Sequence, residues 1–292
     1  MQSRYLQGLD SQGFHTLHYT EWGDPLNRNV LVCVHGLTRN GRDFDAIGDA
    51  LQQAYRVVCP DLPGRGRSSW LTHKADYGYP LYLQDLVALI ARLDVEQLDW
   101  LGTSLGGLIG MFLAARPGNP IRRLLLNDVG PVIPEAALDR IGKYVGRYPE
   151  FATLNELEGY LRTVHAGFGP LSDAQWQHLA AHSHKRLPNG EYALCYDPAI
   201  GEAYRRNVNG AVEIWSVWDA IRCPVTVFRG SASDVLLPAN TEEMQVRGPP
   251  TTVLEFGGVG HAPALMSEEQ IDAVNTALSI RWPLPGILPL LS

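Results

Sequence analysis

A serine set between glycines is the residue of this sequence best suited to covalent chemistry. Ser104 is the central residue of a Gly-x-Ser-x-Gly pattern that runs from Gly102 to Gly106. A serine hydroxyl is a weak nucleophile near neutral pH, so a base must accept its proton, and an imidazole suits that task. His261 is the candidate base, because it follows Gly260 in a loop near the end of the sequence. A carboxylate should then hold the second imidazole nitrogen in the correct orientation.

The residues around Ser104 predict a strand, a tight turn and a helix. An apolar run from Leu98 precedes the serine, and a stretch of good helix formers from Leu108 follows it. A strand that turns at once into a helix forces the apex residue into strained geometry, and small neighbours relieve the crowding. The first free N–H groups of that helix would also favour negative charge beside Ser104.

Several other segments predict strands of the same sheet. Residues 4–22 read as an antiparallel hairpin, whose His15 and His18 are expected to be solvated or edge residues without a catalytic part. Further apolar runs predict buried strands at residues 30–34, 55–59, 121–126, 225–230 and 252–256. Such continuous apolar runs are typical of strands that are covered on both faces.

The middle of the chain has a different character. From about residue 134 to 209 the pattern is helical and shows no convincing strand. Nine aromatic residues are spread through it: Tyr144, Tyr148, Phe151, Tyr160, Phe168, Trp176, Tyr192, Tyr196 and Tyr204. A helical insert between strands predicts a lid over the sheet edge, and we expect most of these rings simply to pack the lid.

The composition is that of an acidic globular protein. Of the 292 residues 45% are hydrophobic, and the formal charge of −7 argues against a nucleic acid or an anionic membrane as a partner. The four cysteines form no CxxC pair and no run is long enough for a membrane span, so we expect a cytoplasmic protein with reduced thiols. The apolar tail from Trp282 is broken by three prolines and predicts neither a helix nor a span.

Five motifs in the predicted order resemble the α/β-hydrolase family over nearly the whole chain. They are His35-Gly36 after a strand, the loop from Asp61 to Ser68, the Ser104 turn, the segment from Gly230 to Asp234, and Gly260-His261. The resemblance implies a mostly parallel eight-stranded sheet with helices on both faces and a helical cap inserted after strand 6. The domains would be a core of residues 1–130 and 213–292 and a cap of residues 131–212.

The same resemblance implies a catalytic triad. Two aspartates compete as its acid: Asp234 follows the strand where the family most often keeps this residue, and Asp128 follows the previous strand, which some members use. Asp234 is favoured, with Asp128 open as the alternative and either one in the order serine, acid, histidine. The N–H groups of Leu105 and Leu37 are the expected oxyanion donors. His35 and Asp61 are read as structural loop residues.

These residues predict a serine esterase that works through an acyl-enzyme intermediate on a small-molecule ester. A carbon–carbon bond hydrolase or a perhydrolase with the same triad stays open, as does a non-catalytic ligand receptor. For carbon–carbon cleavage, Arg39 could hold a substrate carboxylate, although a solvated arginine is the simpler interpretation. No cofactor and no metal are expected, since no cluster has metal-ligand spacing and no nucleotide fingerprint is present. The natural substrate and a homodimer are left open.

Overall fold

The computed structural model describes residues 1–279 of the chain, so the proline-broken tail lies outside the described residues. Its strands in chain order are β1 (Gln2–Asp10), β2 (Gly13–Trp22), β3 (Val30–Val34), β4 (Arg56–Pro60), β5 (Leu98–Thr103), β6 (Ile121–Asn127), β7 (Val132–Ile133), β8 (Glu150–Phe151), β9 (His184–Arg186), β10 (Tyr192–Leu194), β11 (Val212–Glu213), β12 (Val225–Gly230) and β13 (Thr251–Phe256).

The helices are α1 (Asp45–Leu51), α2 (Tyr79–Leu93), α3 (Leu105–Ala114), α4 (Glu135–Gly142), α5 (Leu154–Val164), α6 (Asp173–His182), α7 (Ile200–Asn207), α8 (Trp215–Trp218), α9 (Pro238–Val246) and α10 (Glu268–Ser279). Short 3₁₀ turns occur at Gly41–Phe44, Lys74–Asp76 and Ala166–Phe168. None of the helices in residues 1–279 has the length and apolar character needed to cross a lipid bilayer.

The main sheet has eight strands in the order β1-β2-β4-β3-β5-β6-β12-β13. The six strands from β4 to β13 pair in parallel, and β2 pairs antiparallel with both β1 and β4. The predicted eight-stranded, mostly parallel sheet is therefore confirmed. Because β3, β5, β6 and β12 run in one direction, the loops that follow them meet at one edge of the sheet.

The strand sequences explain why both faces of this sheet are covered. In β3 the side chains of Val30, Val32 and Val34 belong to one apolar cluster, whereas those of Leu31 and Cys33 belong to another. Successive strand residues point to opposite faces, so a run that is apolar throughout needs a helical layer on each side. Residues of α1 and α10 pack on one face, and residues of α2, α3 and α9 pack on the other.

Residues 131–212, which we propose as the cap, leave the core after β6. Their first and last strands, β7 and β11, pair antiparallel and bring the two ends of the segment together, which supports the proposed bounds. Strands β8, β10 and β9 form a small antiparallel sheet. The expectation of an insert without strands is thus wrong, because strands of two or three residues are too short to show an alternating pattern.

The hairpin histidines are also placed differently from the expectation. His15 and His18 are buried, not solvated, and each contacts a carboxylate. His15 Nε2 lies 2.9 Å from Asp85 Oδ2, and His18 Nδ1 lies 2.8 Å from Asp61 Oδ2. Two buried His–Asp contacts therefore help to join the hairpin to the core of the domain.

Candidate active site

Ser104 occupies the turn between β5 and α3 in a strained backbone conformation. Its φ of 51° and ψ of −113° lie where L-residues with side chains are rare and cost about 1–3 kcal/mol. The Ser104 N–H donates to the carbonyl of Asn127 at 3.0 Å, which fixes the turn against the end of β6. The neighbouring strand thus holds the serine at the sheet edge.

The two glycines of the motif are required by close backbone approach. A Cβ atom on Gly106 would lie 2.0 Å from the carbonyl oxygen of Val34 in β3. A Cβ atom on Gly102 would lie 2.3 Å from the carbonyl group of Gly106 itself. Helix α3 therefore packs against the strands more closely than any residue with a side chain at these positions would permit.

The side chains of Ser104, His261 and Asp128 form one hydrogen-bonded chain. His261 Nε2 lies 3.0 Å from Ser104 Oγ, and His261 Nδ1 lies 2.7 Å from Asp128 Oδ2. These residues come from three different loops, after β5, β13 and β6, so the shared sheet edge brings them together. The arrangement has the contacts expected of a nucleophile, a base and an acid that orients the base.

The Asp128 carboxylate is fully buried and is held by several donors. Oδ1 accepts a hydrogen bond from the Gly230 N–H at 2.9 Å, and Oδ2 accepts one from Ser233 Oγ at 2.6 Å. A buried carboxylate is tolerated when such donors replace its lost water. The loop after β12 therefore contributes to the site through Gly230 and Ser233.

We expected Asp234 to contact His261, and the structure contradicts this expectation. The carboxylate that contacts the ring is that of Asp128. The Asp234 side chain is 47% exposed, and its two oxygens accept hydrogen bonds from Arg140 of α4 at 2.5 and 2.7 Å. Partial burial opposes ionisation of Asp234, but the guanidinium outweighs it and lowers the pKa of the carboxyl. Asp234 thus links the core to the cap.

His35 and Asp61, which we expected to be structural loop residues, make hydrogen bonds that hold their loops together. The buried His35 ring contacts the Gly36 carbonyl through Nδ1 at 2.7 Å and accepts the Leu62 N–H at Nε2 at 3.0 Å. Asp61 accepts the backbone N–H groups of Gly41 and Arg67, which joins two loops. Neither side chain contacts Ser104.

Arg39 is buried, not solvated as the simpler interpretation had it. Its Nε and Nη2 donate to the two carboxylate oxygens of Asp43, and its Nη1 donates to Ser183 Oγ of the cap. All three guanidinium nitrogens are therefore engaged within the protein. Arg39 also lines the cavity that contains Ser104, so these contacts hold its guanidinium at the edge of that space.

Leu37 and Leu105 lie beside Ser104 in the wall of one cavity. Leu105 is the first residue of α3, and the first N–H groups of a helix have no partner inside it. Gly36, which precedes Leu37, leaves space next to the serine, since a Cβ atom there would lie 3.8 Å from Ser104 Cβ. The Leu105 and Leu37 N–H groups therefore stay our proposal for the oxyanion donors.

The cavity above Ser104 has a volume of about 410 Å³ and walls from both the core and the cap. Helices α4, α6 and α7 supply apolar side chains such as Leu138, Ile141, Leu179 and Ala203. Of the nine aromatic residues in the insert, only Tyr144, Phe168 and Tyr204 line it. Most of these rings therefore pack the cap, as expected.

Two residues of the site were missed by sequence reasoning. Ser233 holds the acid, and no pattern marks that role. His165 of the cap lines the cavity near His261, and burial together with the nearby Arg39 charge lowers its pKa well below the usual value. A neutral imidazole in the cavity wall can hydrogen-bond a polar group of a substrate.

Comparison with known proteins agrees with this architecture. Residues 31–277 match the profile of a family described as the alpha/beta hydrolase family. The chain is 46% identical over 275 residues to a 3-hydroxybutyrate-oligomer hydrolase of Cupriavidus necator, which covers 91% of this chain and 94% of that protein. It is 27% identical over 236 residues to an esterase of Mycobacterium tuberculosis, with 77% of this chain and 73% of that protein covered.

Solved structures show the same fold over the full domain. A putative hydrolase from Rickettsia typhi superposes with a TM-score of 0.90 at 33% identity, covering 95% of this chain and 99% of that one. An alpha/beta hydrolase from Novosphingobium aromaticivorans has a TM-score of 0.85 at 35% identity, covering 95% and 97% of the two chains. The chain belongs to the alpha/beta hydrolase family.

Proposed function

We propose that this protein is a serine esterase that cleaves short oligoesters of 3-hydroxy acids, with Ser104, His261 and Asp128 as its catalytic triad. The observation that carries the proposal is the continuous contact from Ser104 Oγ through the His261 ring to the buried Asp128 carboxylate. The named relatives that hydrolyse esters support the reaction class.

The proposed reaction has two steps. Ser104 Oγ attacks the ester carbonyl carbon while its proton moves to His261 Nε2, and the leaving alkoxide then takes that proton as the C–O bond breaks. Water attacks the acyl-serine in the second step and gives a proton to the same imidazole. The imidazole returns that proton to Ser104 Oγ as the bond between this oxygen and the acyl carbon breaks, which releases the acid and restores the free serine. Asp128 keeps the ring in position and stabilises its positive charge in both steps.

The oxyanion that forms in each step would be met by the N–H groups of Leu105 and Leu37. Such donors are worth about 3 kcal/mol of barrier each, because they are in place before charge develops. The strained Ser104 backbone supports this assignment, since it sets the serine beside the start of α3.

The substrate class is proposed from the cavity and from one relative. A cavity of about 410 Å³ with mainly apolar cap residues suits a small to medium chain rather than a polymer surface. An oligoester of 3-hydroxybutyrate combines short aliphatic units with ester groups, and the relative from Cupriavidus necator is named for hydrolysing such oligomers. The small-molecule partner is thus an ester with short branched or linear acyl units.

For the carbon–carbon hydrolase alternative, Arg39 is the residue that could hold a substrate carboxylate. Its guanidinium lines the cavity and is bonded to Asp43 and Ser183, so a substrate carboxylate would compete with Asp43 for it. A turnover measurement distinguishes the esterase from the non-catalytic receptor, because a binding protein would not consume an ester repeatedly.

The test is hydrolysis of the purified dimer and trimer of 3-hydroxybutyrate, followed by mass spectrometry of the products. Ser104→Ala should abolish turnover and fluorophosphonate labelling while the circular dichroism spectrum is unchanged. Ser279→Ala, on the exposed end of α10, is the matched control and should behave as the wild type. Retained turnover in Ser104→Ala would refute the triad, and turnover of simple p-nitrophenyl esters alone would refute the oligomer substrate.

A further inference from the structure

Three side chains with metal-binding atoms meet where the cap packs on the core. Asp45 lies at the start of α1, and His178 and His182 lie on α6 of the cap. None of the three is among the residues that line the catalytic cavity. We propose that Asp45, His178 and His182 bind one divalent transition-metal ion of the zinc class, which links α6 to α1.

The geometry is close to that of a three-ligand site. One ligand atom from each residue lies within 4.8 Å of the other two, and His178 Nε2 is 3.3 Å from Asp45 Oδ2. Zinc binds imidazole nitrogen and carboxylate oxygen at about 2.0–2.2 Å, so ligand atoms around one ion lie about 3–4 Å apart. His178 Nε2 also lies 3.3 Å from the Arg42 carbonyl oxygen, and this contact would give way to the ion.

Helix geometry pre-forms the histidine part of the site. His178 and His182 are four residues apart in α6, so their rings project from the same face of the helix. Their centroids are 4.6 Å apart in an edge-to-face arrangement. Asp45 is brought to the same place by the packing of α6 on the Gly41–Phe44 turn.

The pKa values of the three groups are shifted in different directions. A hydrogen bond to Asp45 raises the pKa of His178 against the effect of burial, so a metal ion would compete with a proton for this imidazole. Burial, assisted by the nearby Arg42 charge, lowers the pKa of His182 to about 4, so its imidazole is neutral near pH 7. Burial opposes ionisation of Asp45, but hydrogen bonds from His178 and Arg42 outweigh it and lower the pKa of Asp45. Two imidazoles and a carboxylate form a donor set that suits zinc.

In this structure the guanidinium of Arg42 supplies the positive charge beside Asp45 and His182. Its Nε donates to Asp45 Oδ1 at 2.9 Å and Oδ2 at 2.8 Å, and its Nη1 lies 3.4 Å from His182 Nδ1. A metal ion bound to Asp45 would lie next to this guanidinium and be repelled by it, so we expect metal binding to push Arg42 away from Asp45. Arg42 is therefore a competitor for the site, and its removal should strengthen metal binding.

Sequence reasoning predicted no metal site, and the reason is clear from the fold. Asp45 is far from the two histidines along the chain, and it lies beside them only in the fold, where α6 packs on the core. The four-residue spacing of His178 and His182 was the available signal. It was insufficient alone, since two histidines on a helix face need a third ligand from elsewhere.

The test is calorimetric titration of Zn²⁺ into the chelator-treated full chain. The wild type should bind one ion per chain at this site, and His178→Ala or His182→Ala should weaken that binding at least tenfold. Arg42→Gln should strengthen it severalfold. His73→Ala is the matched control, because His73 also contacts a carboxylate, at 3.0 Å from Asp76, but lacks a third ligand, and this variant should bind as the wild type does.

A second measurement tests the link between the two helices. Zn²⁺ should slow backbone hydrogen exchange of residues 173–182 in the wild type and leave it unchanged in His182→Ala. Equal Zn²⁺ affinity of the wild type and both histidine variants would overturn the site, and unchanged exchange in the metal-loaded wild type would overturn the link. Neither measurement uses catalysis, so both are independent of the proposed esterase activity.

Discussion

The buried carboxylate of Asp128 has the contacts that an orienting acid needs. Its oxygens are bonded to the Gly230 N–H, the Ser233 hydroxyl and the His261 ring. Rotation of this carboxylate would break several bonds at once, so the imidazole that it holds is fixed as well. Asp234 is half exposed and bonded to Arg140, and it has no comparable hold on the ring.

We expect Asp128→Asn to lower kcat by about 10⁴-fold, because an amide would stabilise the wrong imidazole tautomer. The substrate KM should change little, since Asp128 does not line the cavity. Asp234→Asn is the matched comparison and should keep kcat within about threefold. Steady-state kinetics on one ester decides between the two, and similar small losses would show that neither aspartate orients His261.

His35 makes folding stability depend on pH. Burial lowers the pKa of its folded state to about 4, against about 6.5 in the unfolded chain. Between these values the unfolded state binds the extra proton, so stability falls as pH falls. From pH 7.5 to 5 this histidine should remove about 2 kcal/mol of the free energy of unfolding.

Urea unfolding of wild type and His35→Gln at both pH values measures that contribution. The variant should be less stable at pH 7.5, because it loses the Leu62 contact, yet its stability should fall less on acidification. His73→Gln, which replaces a histidine at an exposed position, serves as the control. Parallel pH profiles for all three proteins would contradict the assignment.

At the level of elements, the turn from β5 to α3 depends on backbone contacts that only glycine permits. Replacing Gly106 by alanine would press a Cβ atom into the Val34 carbonyl, 2.0 Å away. Overpacking of this kind costs about 1–3 kcal/mol and can cost more against immobile backbone. We expect Gly106→Ala to lower the free energy of unfolding by at least about 3 kcal/mol, as measured in urea.

Gly159 of α5 provides the matched substitution, because no atom lies within 4 Å of its added Cβ. Gly159→Ala should stabilise the protein by about 0.5–1 kcal/mol through its better helix propensity. If both variants shifted stability equally, close contact would not be the reason for the glycine at position 106.

Elements with a strong local pattern were predictable from the sequence, and others were not. The apolar run before Ser104 and the helix formers after it mark strand β5 and helix α3 directly. The two-residue strands β8 and β11 carry no such pattern, because pairing with distant partners creates them. Burial of His15 and His18 likewise depends on Asp85 and Asp61 arriving from other segments.

Some residues of the candidate site were likewise predictable from the sequence, and others were not. Ser104 and His261 are marked by their glycines and by their place after strands. The choice between Asp128 and Asp234 depends on which side chain turns inward at the end of a strand, and that is settled by tertiary contacts with Gly230 and Arg140. Similarly, the burial of Arg39 was not evident, because its partner Ser183 lies 144 residues further along the chain.

At the scale of the whole molecule, the cap sets how much substrate can fit. The cavity of about 410 Å³ lies between the sheet edge and helices α4, α6 and α7, so its far wall can change without touching the triad. Ile141 of α4 is part of that wall. A larger side chain there should shorten the acceptable chain while leaving the chemistry at Ser104 intact.

We therefore expect Ile141→Trp to lower kcat/KM for the 3-hydroxybutyrate trimer more than tenfold, and for an acetyl ester less than threefold. The loss should appear mainly in KM, because the indole would exclude the distal unit and leave the attacked ester in place. Ala174→Trp introduces the same indole at an exposed position of α6 and should keep the wild-type chain-length profile. Equal losses on both esters would show that the cap does not select for length, since a general distortion of the site affects every substrate alike.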